Sequence, residues 1–347
     1  MADFKARIIE ALDVLRRREL SDKAFFKAKA YAKVIQELRI FEGSIEKLED
    51  VDAVPGVGEK IRKKVAEMLA TGHIAAADRA QETHQLNAVD TLQGVFGIGA
   101  VKAKALIAAG IKTIAQLRAA VTADPDLLHD KQKIGLRYYE DIMERIPRAE
   151  MKAHEKLLLG ALEGTMRGSV VGSYRRGVES SGDIDVLLTV PEGGDVKDFK
   201  KYVDKLVKTD YMVEVLSKGE QKCLSIVNLK GKNRRLDLLL VPIEEFPYAL
   251  LYFTGSGDFN VAFRKHALKL GYTLNEHEMK LTGKVPDAKP VPPIKYEAEI
   301  FAFLGLKYKE PHQRLGAASV ELLSENTKAK VAAVRKTRKN AKADKKK

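Results

Sequence analysis

Ile8, Ile9, Leu12, Leu15 and Leu20 recur at helical spacing, so residues 1–20 are expected to form an amphipathic helix. Helical periodicity continues over Ala24–Leu38 and Lys60–Leu69, then over Gly97–Leu117, Lys131–Met143 and Met151–Glu163. After residue 163 the chain changes character. Apolar runs shorten to strand length at Ser169–Gly172, Asp185–Val190, Tyr211–Leu216, Cys223–Leu229 and Leu236–Val241, with one crossover helix expected at Val196–Val207. Gly193-Gly194 and Gly231-Lys232-Asn233 supply turns, and Glu297–Phe303 reads as a last short helix. The pattern predicts an α+β multidomain chain, all-helical at first and then built on a mixed β-sheet with a small C-terminal subdomain. Unit boundaries are expected at 1–84, 85–144, 145–253 and 254–315, followed by a basic tail at 316–347.

Charge narrows the choice of partner. The 347 residues carry a net charge of +13 at pI ≈ 9.4, which favours a polyanion. Residues 328–347 hold ten Lys or Arg against one Asp, so nine of those thirteen charges sit in the last twenty residues. The body is only mildly basic, and must grip a polyanion through local patches. The tail is expected to be disordered, for want of core-forming residues beyond Val331 and Val334. It suits a nuclear-import signal, a non-specific DNA grip or a solubilising segment. No apolar run approaches a membrane span. The lone Cys223 excludes an internal disulfide and a cysteine-based metal site.

The densest chemistry lies between Val171 and Asp185. A Gly-Ser turn, Gly172-Ser173, follows an apolar run, and Asp183 and Asp185 stand one residue apart at the head of a strand. Residues i and i+2 of a strand share a face, so the two carboxylates project into one space and repel unless a cation or proton lies between them. Hard oxygen ligands suit Mg²⁺. Asp237, set in the Leu236–Val241 run, would be costly to bury unpaired, and a metal shared with the first two removes that cost. Such a trio suits two-metal chemistry, with Asp237 nearest the attacking hydroxyl. The turn offers N–H groups and a hydroxyl to phosphate, and Arg176 adds a fixed positive charge. Phosphate cradle and carboxylate trio together point to nucleotidyl transfer.

A second signal is repeated. Val54-Pro55-Gly56-Val57-Gly58 returns as Val95-Phe96-Gly97-Ile98-Gly99, each copy followed by a Lys-bearing helical run. A tight Gly turn opening a helix presents backbone N–H groups to a phosphate, reading backbone rather than sequence. Lys60, Lys63 and Lys64 follow the first copy. Crowded ammonium groups favour a partly neutral amine, able to attack an aldehyde.

The runs GSYRRGVESSGDIDVLL, RRLDLLL and LYFTGSGDFN strongly resemble the X-family DNA polymerases of the β type, from about Lys23 to about Arg314. The resemblance implies a lyase domain with the first helix–hairpin–helix, a second helical DNA-binding subdomain, a nucleotidyltransferase palm and a nucleotide-selection subdomain. It implies two Mg²⁺ ions on Asp183, Asp185 and Asp237. Arg145, Ser173, Arg176 and Gly182 correspond to triphosphate contacts. Tyr252, Phe253 and Gly255 line the incoming sugar, and Asn260 meets the nucleotide from the minor groove. Arg264 corresponds to a template-side contact and Arg235 to a DNA contact. In the first unit Lys64 corresponds to a Schiff-base nucleophile that removes 5′-deoxyribose phosphate, with Lys27, Lys60 and Tyr31 around it. Gly56, Gly58, Gly97 and Gly99 would touch DNA. The carbonyls of Val54, Val57, Val95 and Ile98 would hold Na⁺ or K⁺.

Phe26, Ala76, Leu239 and Gly257 depart from the family's familiar residues, at positions where a histidine, a lysine, an arginine and an acid are usual. The expected partners are gapped or nicked duplex DNA, dNTPs and other base excision repair proteins. The chain is expected to act as a monomer, in the nucleus, with the mitochondrion as the alternative. Two other functions fit parts of the sequence: a template-independent nucleotidyltransferase, and a non-enzymatic scaffold that binds damaged DNA. The intact aspartate trio speaks against the second.

Overall fold

The computed structural model describes residues 3–22, 24–83, 86–191, 197–286 and 288–323. The Gly193-Gly194 turn and the 328–347 tail lie outside the described residues. Among the described residues, nine α-helices come first: α1 (Lys5–Ser21), α2 (Phe25–Ile40), α3 (Glu59–Thr71), α4 (Ala75–Thr83), α5 (Leu86–Gln93), α6 (Ala100–Ala108), α7 (Ile114–Ala123), α8 (Asp130–Arg137) and α9 (Tyr139–Met143). They form two separate cores. Ile8, Leu12 and Leu15 of α1 meet Val34, Leu38, Ile61 and Val65 in the first, and Leu92, Val95, Ile98, Leu106 and Leu117 build the second.

The helices expected over Gly97–Leu117 and Lys131–Met143 are each broken in two. Gly110 takes φ +87°, and Thr113 then caps α7 by accepting from the Gln116 N–H at 3.2 Å while Gln116 reaches back to the Thr113 N–H. Side-chain and backbone donors are satisfied reciprocally, which makes a new helix start more favourable than continuation. The second break falls at Tyr138, between α8 and α9.

The palm follows, with β1 (Ile146–Pro147), α10 (Arg148–Gly160), β2 (Arg167–Val170), α11 (Gly172–Arg175), β3 (Ser180–Ser181), β4 (Ile184–Val190), α12 (Lys197–Lys208), β5 (Met212–Lys218), β6 (Lys222–Leu229) and β7 (Lys232–Pro242). The five-stranded sheet runs β2-β4-β7-β6-β5, antiparallel except for the central parallel pair β4 and β7. Two expectations are corrected here. Gly172 is not in a strand but opens α11, because its φ of +62° turns the chain away from the sheet. The turn at 231–233 shrinks to Lys230-Gly231, both at positive φ, so Lys232 and Asn233 join β7. Positive φ at both central residues matches the twist of a two-residue hairpin.

Strand alternation divides the palm into two faces. Ile184, Val186, Leu188, Leu236, Leu238 and Leu240 turn towards α10 and α12 in the main core. Asp185, Leu187, Asp237 and Leu239 take the other face, where α13 (Phe246–Thr254) covers part of the sheet. Beyond it lie α14 (Gly257–Lys269), the hairpin β8 (Tyr272–Leu274) and β9 (Met279–Leu281), and α15 (Glu297–Phe303), around a core of Phe259, Phe263, Ile300 and Phe301. The tail expected from residue 316 starts later. Ala317–Ser319 forms a 3₁₀ turn and Leu322 bridges to Leu306, because Val320 packs on this last core.

Candidate active site

The parallel pairing of β4 with β7 sets Asp185 directly beside Asp237, with Ile184 beside Leu236 and Val186 beside Leu238. Asp183 stands one residue ahead of β4, on the same side as Asp185. One carboxylate oxygen from each of the three lies within 4.8 Å of the others. Burial, then repulsion from Asp183 and Asp237, pushes the Asp185 carboxyl up to about 7. Burial also raises Asp237, although Arg235 opposes it. Arg235 lies across the trio, paired with Asp183 and with its Nε 3.3 Å from Asp237 Oδ1. That contact lacks hydrogen-bond geometry, so Asp237 Oδ1 is buried without a hydrogen-bond partner. Three carboxylates whose oxygens converge on one point fit a hard divalent cation. These three residues could hold a metal.

Gly172 makes room for this arrangement. A Cβ there would come within 2.5 Å of Asp185 Oδ2. The Val171 N–H donates to the Asp185 carbonyl at 2.9 Å, fixing the turn to the strand that carries the acid. Ser173 Oγ then donates to Ser181 Oγ at 3.0 Å, and Arg145 Nε to Ser180 Oγ at 2.7 Å. Gly182, next in the chain, leaves open space where a Cβ would stand. Ser173, Ser180, Ser181, Gly182 and Arg145 thus form one polar rim. Ser180 and Ser181 had no role in the sequence reading beyond spacing. Their signal was position, immediately before Gly182-Asp183.

Arg176, on the same turn as Ser173, reaches α13. Its Nη1 donates to the Thr254 carbonyl at 2.6 Å, at the C-terminal end of α13. Tyr252 and Phe253 meet edge to face, with ring centroids 5.2 Å apart, and Asn260 Nδ2 donates to the Tyr252 carbonyl at 2.7 Å. Phe253 also lines a cavity of about 80 Å³ with Asp185, Asp237, Lys222 and Leu239. Gly255 takes φ +66°, after which Ser256 caps α14. Gly257 opens that helix, and Leu239 packs with the apolar residues under α13. Tyr252, Asn260 and Arg264 line a larger cleft of about 780 Å³ shared with Lys33, Gln36 and Glu37 of α2.

The two hairpins are equivalent in detail. Gly56 and Gly97 take φ +90° and +84°, while Gly58 and Gly99 stand just before α3 and α6 with nothing within 4 Å of a Cβ. Val54 and Val95 accept from Val57 and Ile98 at 3.3 and 3.0 Å, closing the turns. Lys60 is exposed beyond the first hairpin, and Lys27 Nζ lies 3.9 Å from Glu19. Lys64 is half-buried on α3, with no carboxylate paired to it among the described residues. Tyr31 packs on the same core from α2, and burial raises its hydroxyl. The first-unit residues thus stand apart from the aspartate trio, in a unit of their own.

Three basic residues that sequence reasoning passed over make long-range pairs. Arg314, fully buried, pairs with Glu297, which also receives Arg175 at 3.2 and 3.3 Å, and Arg175 donates to Thr254 Oγ1 at 2.6 Å. Arg234, 1% exposed, binds Glu150 at 2.6 Å and Glu144 at 2.9 Å, tying β7 to α10 and to the end of α9.

Four family models match in succession: a helix-hairpin-helix domain at 4–74, the fingers domain of DNA polymerase lambda at 90–143, the DNA polymerase beta palm at 145–243 and the DNA polymerase beta thumb at 249–315. The chain belongs to the X family of DNA polymerases, of the β type. It is 31% identical over 332 residues to DNA polymerase lambda of Rattus norvegicus, covering 90% of this chain and 56% of that protein. It is 28% identical over 312 residues to DNA polymerase lambda of Arabidopsis thaliana, covering 82% and 57%. The chain therefore spans about half the length of the curated relatives it matches. The palm match holds all three aspartates, and the thumb match holds the Tyr252–Asn260 segment.

Proposed function

We propose that this chain is a template-directed DNA polymerase that fills short gaps in base excision repair, and that its first unit is a 5′-deoxyribose phosphate lyase. The observation that carries the reading is the Asp185–Asp237 pairing that, with Asp183, brings three carboxylates to one point. Asp183, Asp185 and Asp237 would hold two Mg²⁺, which supply charge neutralisation at the triphosphate and acidify the primer 3′-hydroxyl. Asp237 accepts the proton of that hydroxyl. Ser173, Gly182, Arg145 and Arg176 take the triphosphate oxygens, holding charge as it moves to pyrophosphate. Arg235, which lies across Asp183 and Asp237, would reach the DNA backbone once those carboxylates hold metal. The Tyr252–Phe253 edge and Gly255 exclude a 2′-hydroxyl, Asn260 meets the nucleotide, and Arg264 meets the template side.

In the first unit the Lys64 amine adds to the sugar aldehyde and loses water, forming a Schiff base. A C2′ proton is then lost to solvent, a C2′–C3′ double bond forms as the C3′–oxygen bond to the phosphate breaks, and hydrolysis returns the amine. Lys27, Lys60 and Tyr31 position the 5′-phosphate and sugar. The two hairpins grip DNA phosphates through Gly56, Gly58, Gly97 and Gly99, with Na⁺ or K⁺ on the carbonyls of Val54, Val57, Val95 and Ile98. The protein works as a monomer alongside other repair proteins. We place it in the nucleus on the strength of the Lys-rich tail, and a fluorescent fusion with and without residues 328–347 tests this.

The deciding experiment is Mg²⁺-dependent extension on a one-nucleotide gap with a 5′-phosphate. Prompt addition of the complementary dNTP, abolished by Asp237→Ala, supports the polymerase. Addition regardless of the template base would favour the transferase instead. Tight gap binding without any addition would leave only the scaffold.

A further inference from the structure

The thumb match ends at residue 315, yet the chain does not leave the fold there. The Lys307 N–H donates to the Glu321 carbonyl at 2.9 Å, and the Leu323 N–H to the Gly305 carbonyl at 2.8 Å, which makes the Leu306–Leu322 bridge. Glu321 pairs with Lys309 at 2.5 Å and Lys307 at 3.4 Å, and Lys309 is only 12% exposed. Ser319 Oγ donates to the Gln313 carbonyl at 2.7 Å. Between these anchors, Ala317–Ser319 lies against α14 and also against α2 of the first unit. Beside it, Lys265 of α14 pairs with Glu37 of α2 at 2.6 Å.

The first unit is thus fastened at two places. Towards the second helical unit, Arg17 pairs with Asp90 and Lys104 Nζ donates to the Ser21 carbonyl at 2.8 Å. At the other, α2 meets α14 and the residues after 315. The second fastening lies beside the cleft that Lys33, Gln36 and Glu37 of α2 share with Tyr252, Asn260 and Arg264.

We propose that Gly316–Leu323 is a strap that sets the length of gap the enzyme prefers. The proposal rests on the gap-filling reading above. Two linked modules gain from each other only when the spacing of their sites matches the spacing of the ligand's ends. One end of a gap is the 5′-phosphate, bound by the first unit, and the other is the primer terminus at the aspartate trio. A strap that fixes α2 on α14 narrows the spacings that engage both ends, and so favours the shortest gap.

The test compares the full chain, a chain ending at Leu323, a chain ending at Leu315 and the full-length variant Glu321→Lys. Extension is measured on one- and five-nucleotide gaps with a 5′-phosphate, and on a recessed primer with no downstream strand. The chain ending at Leu323, which lacks the basic tail, should keep the full chain's preference for the one-nucleotide gap. The chain ending at Leu315 and Glu321→Lys should lose that preference by about tenfold or more, with recessed-primer extension unchanged. Adding Lys309→Glu to Glu321→Lys should restore it by reversing the ion pair. An undiminished preference in Glu321→Lys and in the chain ending at Leu315 overturns the proposal. Loss of preference in the chain ending at Leu323 also overturns it, because the tail would then be the cause. No extension by the full chain on any substrate is a different failure, that of the gap-filling reading itself.

Discussion

Gly172→Ala isolates the coupling between the Gly172-Ser173 turn and the aspartates proposed to hold metal. Position 172 has φ +62°, and a left-handed conformation costs a residue with a Cβ about 1–2 kcal/mol. The larger effect is local. The new Cβ would sit 2.5 Å from Asp185 Oδ2, so that oxygen must retreat by about 1 Å to reach ordinary contact. A misplacement of about 1 Å costs on the order of 10²-fold in rate, or about 2.7 kcal/mol of transition-state stabilisation. Single-turnover extension on a one-nucleotide gap, at saturating dNTP and Mg²⁺, reads that loss directly. Gly110→Ala is the control. Its φ is +87°, but nothing lies within 4 Å of the added Cβ, so it carries backbone strain without the clash. Gly172→Ala should slow extension about a hundredfold, and Gly110→Ala should cost stability alone. Full rate in Gly172→Ala, or an equal loss in Gly110→Ala, would refute the reasoning.

Three further outcomes are expected. In chelator, stability should fall as pH rises from about 4 to about 7. The folded protein keeps a proton on Asp185 up to about 7, whereas the unfolded chain releases it near 3.8. Thermal melts across that window check the sign, Asp185→Asn should flatten the profile, and Mg²⁺ above pH 7 should raise the midpoint. Glu297→Ala leaves the fully buried Arg314 without its carboxylate, and removing one partner of a buried pair costs about 3–5 kcal/mol. A urea midpoint unchanged from wild type would rule out that role for Glu297. Lys64→Ala should abolish borohydride trapping of the protein on 5′-deoxyribose phosphate DNA and leave recessed-primer extension intact. Undiminished trapping would move the nucleophile to another lysine.

The aspartate trio was legible because strand periodicity is local. Asp183 and Asp185 declare a shared face by spacing alone, and an acid inside Leu236–Val241 declares a cost that something must offset. The parallel pairing that joins the two strands was not in the spacing, since register is set by contacts far along the chain. The hairpins were legible because their glycines repeat, and both copies adopt the same turn. The helix breaks at Gly110 and Tyr138 were missed although the Thr113–Gln116 capping pair stood in the sequence, because apolar periodicity ran through them. Arg235 was read as a DNA contact. Here it lies on the carboxylates, as the nearest cation to a cluster whose mutual repulsion is strong.

The ion pairs that remained hidden share one physical property: they join elements far apart in the chain. A hydrophobic pattern tells a residue's face, and the apolar cores follow from it. It says nothing about which distant acid an arginine will find. Arg234 reaches residues more than eighty positions away, and Arg175 reaches Glu297 across 122. Each is largely shielded from water, so its charge must be met or the joint fails. These pairs therefore fix orientation between units that would each fold around their own apolar centre. Arg175 and Arg176 are neighbours on one short turn, and both bind Thr254, one through its hydroxyl and one through its carbonyl. The turn carrying Ser173 is thereby tied to the end of the helix carrying Tyr252 and Phe253. In the proposed polymerase, a nucleotide bound between them would move both together, so the proposed triphosphate cradle and sugar gate would respond to it as one body.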